Sequence, residues 1–375
     1  MDKSEEAQKL FICGMEAYRA KDYTKALTLL KQAAELGHVV AMNKLSNIYS
    51  RESRRIGISE NISESLRYLQ MAAENNYTSS MVTLGNHYYY TQKNLVLAFQ
   101  WYYKAAELGD KTAIENVARS YRDGTGVEQS GEKALEWYKK IAYYPTKYPR
   151  SDKHIVNRKI ILEIAKIYRD GIGGVKSDGE EAVKWLREIE DSQVVQLIAE
   201  IYRDGLGLPA DGEKAITEFK KLMYSSVEYP YGECTAEACL CIARICRDGV
   251  GNIQQNNKEY LKWLREATEP FESCFNRYPF YNRNAMIELG DVYRDGIFVR
   301  KKDCNKALYY YKKIFDCYHD DIEDSEIALR IAEIYSKGIG GVKKNPKEAE
   351  KYLTWAKELN PSIDEISFSE EKNEQ

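Results

Sequence analysis

The sequence predicts an all-α protein, an α-solenoid of about nine helical hairpins, and three observations predict it. The tetrapeptide YRDG stands at 121–124, 168–171, 202–205 and 293–296, with CRDG at 246–249 and YSKG at 335–338. Apolar residues recur at helical spacing before each copy, and a helix-starting residue follows each. Self-similarity of this kind marks an array of small units, none of which can bury its apolar face alone, so neighbours must stack.

The first helix of each unit is read by aligning on the tyrosine, which gives Tyr18, Tyr49, Tyr88, Tyr121, Tyr168, Tyr202, Cys246, Tyr293 and Tyr335. Four residues before it lies an apolar position such as Leu84, Val117, Ile164, Ile198, Ile242, Leu289 or Ile331. Three before it lies a small one: Gly85, Ala118, Ala165, Ala199, Ala243, Gly290 or Ala332. This is one helical stripe with a gap left for a close neighbour.

The second helix starts at Asp22, Asn61, Asn94, Ser130, Asp178, Asp211, Asn256, Asp303 and Asn345. Each side chain can accept from the free backbone N–H groups of a helix start. "NPKEA" at 345–349 adds proline at the first helical position and glutamate at the third. Four residues beyond the cap is usually an alanine, and three further on a large residue, including Trp101, Trp137, Trp185, Trp263 and Tyr310.

Between the helices, Gly124, Gly171, Gly205, Gly249, Gly296 and Gly338 supply the left-handed residue that ends a helix. A following GxG or GxGG carries the chain to the next cap. With no preceding strand and no lysine-serine pair, these loops are joints and not phosphate cradles.

Composition narrows the function. The chain has 375 residues, 55 Lys+Arg against 58 Asp+Glu, net −3, so it is no general electrostatic binder of nucleic acid. Its apolar runs are too short to span a membrane, and its acidic amino terminus lacks the order of a secretory signal. A cytoplasmic protein without nucleic-acid or membrane partners is expected. The unevenly spread cysteines fit reduced thiols. The cluster Cys234, Cys239, Cys241 and Cys246 matches no common zinc spacing and reads as small core residues, a metal or redox role being the alternative. His38, His87, His154 and His319 are scattered and form no catalytic arrangement. No enzyme, cofactor or metal is predicted.

The segments "MVTLGNHYYY…LAFQWYYKAAELGD" and "AIENVARSYRDGTGVEQSGEKALEWYKKIA" resemble the Sel-one-like repeat (SLR) family, a relative of the tetratricopeptide repeats. The resemblance covers about residues 5–358. It implies a right-handed superhelix whose first helices line the concave side, and an adaptor that gathers partner proteins. The first three units lack the glycine after the tyrosine, and the second has a longer joint, "SRESRRIGISEN"; these are closer to tetratricopeptide hairpins. The solenoid is assigned to 1–358, and 359–375, polar and acidic, to a disordered tail.

Packing leaves the arginine of YRDG over. Arg122, Arg169, Arg203, Arg247 and Arg294 recur one residue past the stripe, and Arg119, Lys166, Glu200, Arg244 and Asp291 lie three before. Residues three apart share a helix face. Such a ladder suits an acidic peptide gripped by guanidinium groups. The alternative is structural: arginines complement the helix dipole, and the adjacent aspartates neutralise the neighbouring unit's arginine.

The cap-to-tyrosine intervals 22 to 49, 61 to 88 and 94 to 121 are equal, whereas most later ones are longer. The extra residues form aromatic loops, three with Tyr-Pro, offering Tyr144, Tyr148, Tyr229 and Tyr278 as partner contacts on one edge. The reading is a protein-protein interaction scaffold, with an enzyme-associated regulatory subunit as the alternative. Self-association, for instance through the acidic tail, stays open.

Overall fold

A computed structural model describes residues 2–57, 59–144, 155–189, 191–224, 232–269, 282–317, 324–361 and 363. The chain is divided into two compact units, Met1–Ile189 and Glu190–Gln375. In the first unit, α1 (Lys3–Arg19) pairs with α2 (Tyr23–Glu35), and α3 (Val39–Asn47), prolonged by the single turn α4 (Ser53–Ile56), pairs with α5 (Ile62–Glu74). There follow α6 (Thr78–Asn86) with α7 (Leu95–Glu107), α8 (Lys111–Asp123) with α9 (Gly131–Lys139), and α10 (Arg158–Asp170) with α11 (Gly179–Leu186). The second unit pairs α12 (Ser192–Asp204) with α13 (Gly212–Tyr224), α14 (Gly232–Asp248) with α15 (Asn257–Glu266), α16 (Arg283–Asp295) with α17 (Cys304–Cys317), and α18 (Asp324–Lys337) with α19 (Pro346–Leu359). Within each unit, consecutive hairpins pack against one another. This is the α-solenoid that the repeats predict. The assigned tail, 359–375, falls largely outside the described residues.

Every expected cap is in place. In all nine hairpins the cap side chain accepts from the third backbone N–H of the second helix, from Lys25 N to Asp22 at 3.1 Å through Glu348 N to Asn345 at 3.2 Å. The cap also closes the joint with its own backbone. From the second hairpin to the ninth, its N–H donates to the carbonyl of the aligned tyrosine or cysteine, at 2.8 Å for Ser130 to Tyr121 and Asn345 to Tyr335. The tyrosine thus fixes the loop by its main chain as well as the stripe by its ring.

Where a joint carries two glycines, each has its own reason. Gly124, Gly171, Gly205, Gly249, Gly296 and Gly338 all hold positive φ, between 66° and 73°, where other residues are strained. The second glycine meets the preceding hairpin. A Cβ at Gly126 would strike the carbonyl of Leu95, one at Gly173 the amide of Gly131, one at Gly251 the carbonyl of Ala210 and one at Gly340 the side chain of Cys304. In the second and third hairpins no such glycine follows the tyrosine. There α3 runs through a π-helical turn, Ile48–Glu52, into α4 and stops at Gly57 with φ 71°, and α6 runs through a π-helical turn at His87–Thr91.

The core follows the stripe. Val117, Ile164, Ile242, Leu289 and Ile331 are fully buried. The small position opposes the residue eight beyond the cap, where Tyr102, Tyr138, Tyr311, Leu186, Phe219 and Leu264 are buried. A Cβ on Gly85 would come within 2.5 Å of the Tyr102 ring, and one on Gly290 would strike Tyr311. The hydroxyls of these tyrosines donate to Asn86 at 2.7 Å and to Asp291 at 2.6 Å. The chain after α9, expected to be loop, forms a two-residue antiparallel bridge with Tyr143 opposite Val156 and Tyr144 opposite Ile155.

Candidate partner-binding faces

The arginine of each YRDG ends a first helix beside an aspartate, and the two lock together. Arg122 donates through Nε and Nη2 to the two carboxylate oxygens of Asp123 at 2.6 and 2.8 Å. The same fork joins Arg169 to Asp170, Arg203 to Asp204, Arg247 to Asp248 and Arg294 to Asp295. The hydrogen bonds from arginine hold Asp170, Asp248 and Asp295 below the usual carboxylate range. The expectation that each aspartate neutralises a neighbouring unit's arginine is therefore corrected: adjacency in sequence favours the fork within one hairpin.

The third nitrogen crosses to the next hairpin. Arg122 Nη1 pairs with Glu163, Arg247 Nη1 with Glu288 at 2.7 Å, and Arg203 Nη1 lies 3.9 Å from the thiol of Cys241. These partners all sit five residues before the next aligned position. For Arg294 of the eighth hairpin that place is taken by Arg330 of α18 in the ninth, which binds Asp291 at 3.0 Å, while Arg294 Nη1 also reaches Asp291 at 3.2 Å.

The three candidate basic pairs fare differently. Arg244 joins Arg247 on Glu288, at 3.0 Å. Arg119 bonds Asn116 of its own helix at 2.7 Å. Lys166 is exposed and has no hydrogen bond or ion pair among the described residues. Of the candidate edge tyrosines, Tyr144 has its backbone in the short bridge, and Tyr148, Tyr229 and Tyr278 lie outside the described residues.

One contact series was missed by the sequence reading. The residue nine beyond a cap reaches the next hairpin's aligned tyrosine: Lys139 donates to the Tyr168 hydroxyl at 3.1 Å, Arg265 to Tyr293 at 3.3 Å and Lys312 to Tyr335 at 2.7 Å. Counting from the cap shows the signal, since Lys31, Lys139, Arg187, Lys220, Arg265 and Lys312 all occupy this place. Cys239, Cys241 and Cys246 are buried, as their core reading expects. Burial pushes the Cys239 thiol up to about 12 and that of Cys241 to about 11. The side chain of Cys234 is outside the described residues. Among those described, no group of histidine, cysteine and carboxylate side chains could hold a metal ion, and no helix is long and apolar enough to cross a membrane.

Stacked, capped and glycine-jointed hairpins define a helical-repeat protein. The Sel1 repeat family model matches residues 16–38, 39–77, 84–110, 112–143, 162–189, 197–217, 283–318 and 326–360. The chain belongs to the Sel1 repeat family, whose proteins generally mediate protein-protein interactions and are typically scaffolds rather than enzymes. It is 29% identical over 168 residues to the chitin synthase regulator SKT5 of Saccharomyces cerevisiae, a stretch covering 44% of this chain and 22% of that protein. Among solved structures it is similar to c5321, a protective antigen of uropathogenic Escherichia coli with an SLR fold, at 22% identity over 89% of this chain and 64% of the other, TM-score 0.45. A Sel1 repeat protein from Oxalobacter formigenes is 24% identical, covering 68% of this chain and 98% of the other, TM-score 0.42.

Proposed function

We propose that this chain is a cytoplasmic adaptor that gathers partner proteins on the face of its first helices, taking acidic segments at the cations the repeat leaves uncommitted. The observation that carries this reading is the exposed Lys166, without an ion pair among the described residues, on the flank where the preceding hairpin places Arg119. Arg122, Arg169, Arg203, Arg244, Arg247 and Arg294 complete the field, each meeting a carboxylate already. They bind a partner by sharing these carboxylates or exchanging them. The aromatic edge at Tyr144, Tyr148, Tyr229 and Tyr278 adds contact area.

The test is affinity capture from the native cell extract, wild type beside Arg119→Glu/Lys166→Glu, read by mass spectrometry. Reversing these two breaks none of the Arg–Asp forks, so a partner lost only from the variant supports the reading. A partner retained by both removes the groove from it. A second reading, regulatory subunit of an enzyme, is favoured by the stretch similar to a chitin synthase regulator; an enzyme co-purifying in the same capture, with activity that changes on adding this chain, would distinguish it.

A further inference from the structure

The joints of the eighth and ninth hairpins differ from the four glycine joints just before them. The loops at 124–130, 171–178, 205–211 and 249–256 carry a single cation among them, Lys176. The eighth joint reads GIFVRKKD and the ninth GIGGVKKN, followed by Pro346 and Lys347. Their six cations, Arg300, Lys301, Lys302, Lys343, Lys344 and Lys347, are all exposed. None has a hydrogen bond or ion pair among the described residues. The nearby acids are spoken for or lie beyond: Asp295 is held by Arg294 at 2.7 Å, Asp303 caps α17 and lies 3.5 Å from Lys306, and Glu348 and Glu350 follow on α19.

The two loops are one surface. The N–H of Cys304, just past the eighth joint, donates to the carbonyl of Gly340 in the ninth at 3.0 Å, and Asn305 Nδ2 to that of Gly341 at 3.4 Å. Beside the cations stand two exposed apolar residues, Ile297 at 52% and Phe298 at 39%. Phe298 occupies the place of the second glycine and keeps its left-handed backbone, φ 64°, a strained conformation for a bulky residue. Its ring is anchored edge-on against Tyr260 at 5.3 Å, and Tyr260 in turn stands where most hairpins have alanine. This joint thus keeps a partly exposed aromatic ring at its surface at a backbone cost that glycine would avoid.

We infer that the joined eighth and ninth hairpin turns are a docking face for an anionic lipid surface. Projecting apolar side chains enter below the headgroups while flanking cations meet the phosphates. A cluster of about 4–8 Lys/Arg is the usual size for recognising anionic lipid. A fluid surface supplies phosphate wherever these cations stand, so no fixed complementary partner is required. Short apolar runs exclude a spanning segment but not peripheral contact, and the near-zero net charge of the whole chain conceals this local excess. The inference is independent of the first-helix groove.

Co-sedimentation of the full chain tests it, with vesicles of phosphatidylcholine alone or with about a third phosphatidylserine, in roughly 0.1 M salt. Binding to the anionic vesicles alone is expected. Arg300→Glu/Lys301→Glu should weaken it at least about tenfold. Phe298→Gly, which suits the backbone, should weaken it several-fold with the helical spectrum kept. Arg119→Glu/Lys166→Glu should bind vesicles as wild type does. Absence of anionic-vesicle binding, equal binding to neutral vesicles, or full binding by the charge-reversed variant overturns the inference. So does a tip that binds an Asp/Glu-rich peptide but no vesicles.

Discussion

Glu288 of α16 receives Arg247 of the preceding hairpin at 2.7 Å on one oxygen and Arg244 at 3.0 Å on the other. The Tyr260 hydroxyl donates to it as well, at 3.1 Å. One carboxylate therefore ties α14, α15 and α16 together. Arg247 and Arg244 are 33% and 41% exposed, so water moderates the loss when the acid is removed. Glu288→Leu, with the residue type that Leu197 places at this position in the sixth hairpin, should cost about 1 kcal/mol. Faster amide exchange across α16 would register it.

Gly290 and Tyr311 are fitted to each other. Gly290→Ala puts a methyl group into the buried ring and disturbs its bond to Asp291, which should destabilise by about 1–3 kcal/mol. Other hairpins pair alanine with leucine here, as in Ala165 with Leu186 and Ala243 with Leu264. Gly290→Ala/Tyr311→Leu should therefore lose less than the two single variants together, a coupling that urea titration in a double-mutant cycle measures.

His38 makes the start of α3 sensitive to acid. Its Nδ1 accepts from Ala41 N at 3.1 Å while Nε2 faces Gln8 at 2.8 Å, so protonation of Nδ1 removes the cap. Burial lowers its pKa from the usual 6.5. A depressed folded value means that its contribution is complete above pH 6.5 and is lost as pH falls through the folded pKa. His38→Asn, which keeps an acceptor, should flatten this part of the stability-versus-pH curve between acidic and neutral pH.

Thiol reactivity should separate the cysteines. Cys13 is exposed, whereas Cys239 and Cys241 are buried with raised pKa values. Brief iodoacetamide treatment of the native protein should label Cys13 and spare the other two, and labelling in denaturant should reach all three. Peptide mass mapping reads the result. Rapid native modification of Cys241 would contradict its placement in the core.

Contacts within a hairpin were legible because helical spacing reveals them. The aligned tyrosines, nine caps and glycine stops need only the neighbouring residues of one hairpin. Contacts between hairpins depend on how one stacks on the next, which no local period encodes. The reach of Arg122 to Glu163 and of Lys139 to Tyr168 followed only from that stacking. The π-helical turns after Asn47 and Asn86 were hidden too, because their residues continue an apparent α-helical run. Along the arginine ladder the recurrence of arginine and aspartate was readable, but their forks were assigned to the wrong hairpin.

The seat of Gly126 on the Leu95 carbonyl and of Gly251 on that of Ala210 has a consequence for how such a chain can grow. A joint made against main-chain atoms asks nothing particular of the neighbour's side chain, so a duplicated hairpin finds a ready seat on whatever precedes it. Tyr260 and Phe298 form the opposite case. They are matched by side chain across two hairpins, and this stretch can be copied or transplanted only as a pair.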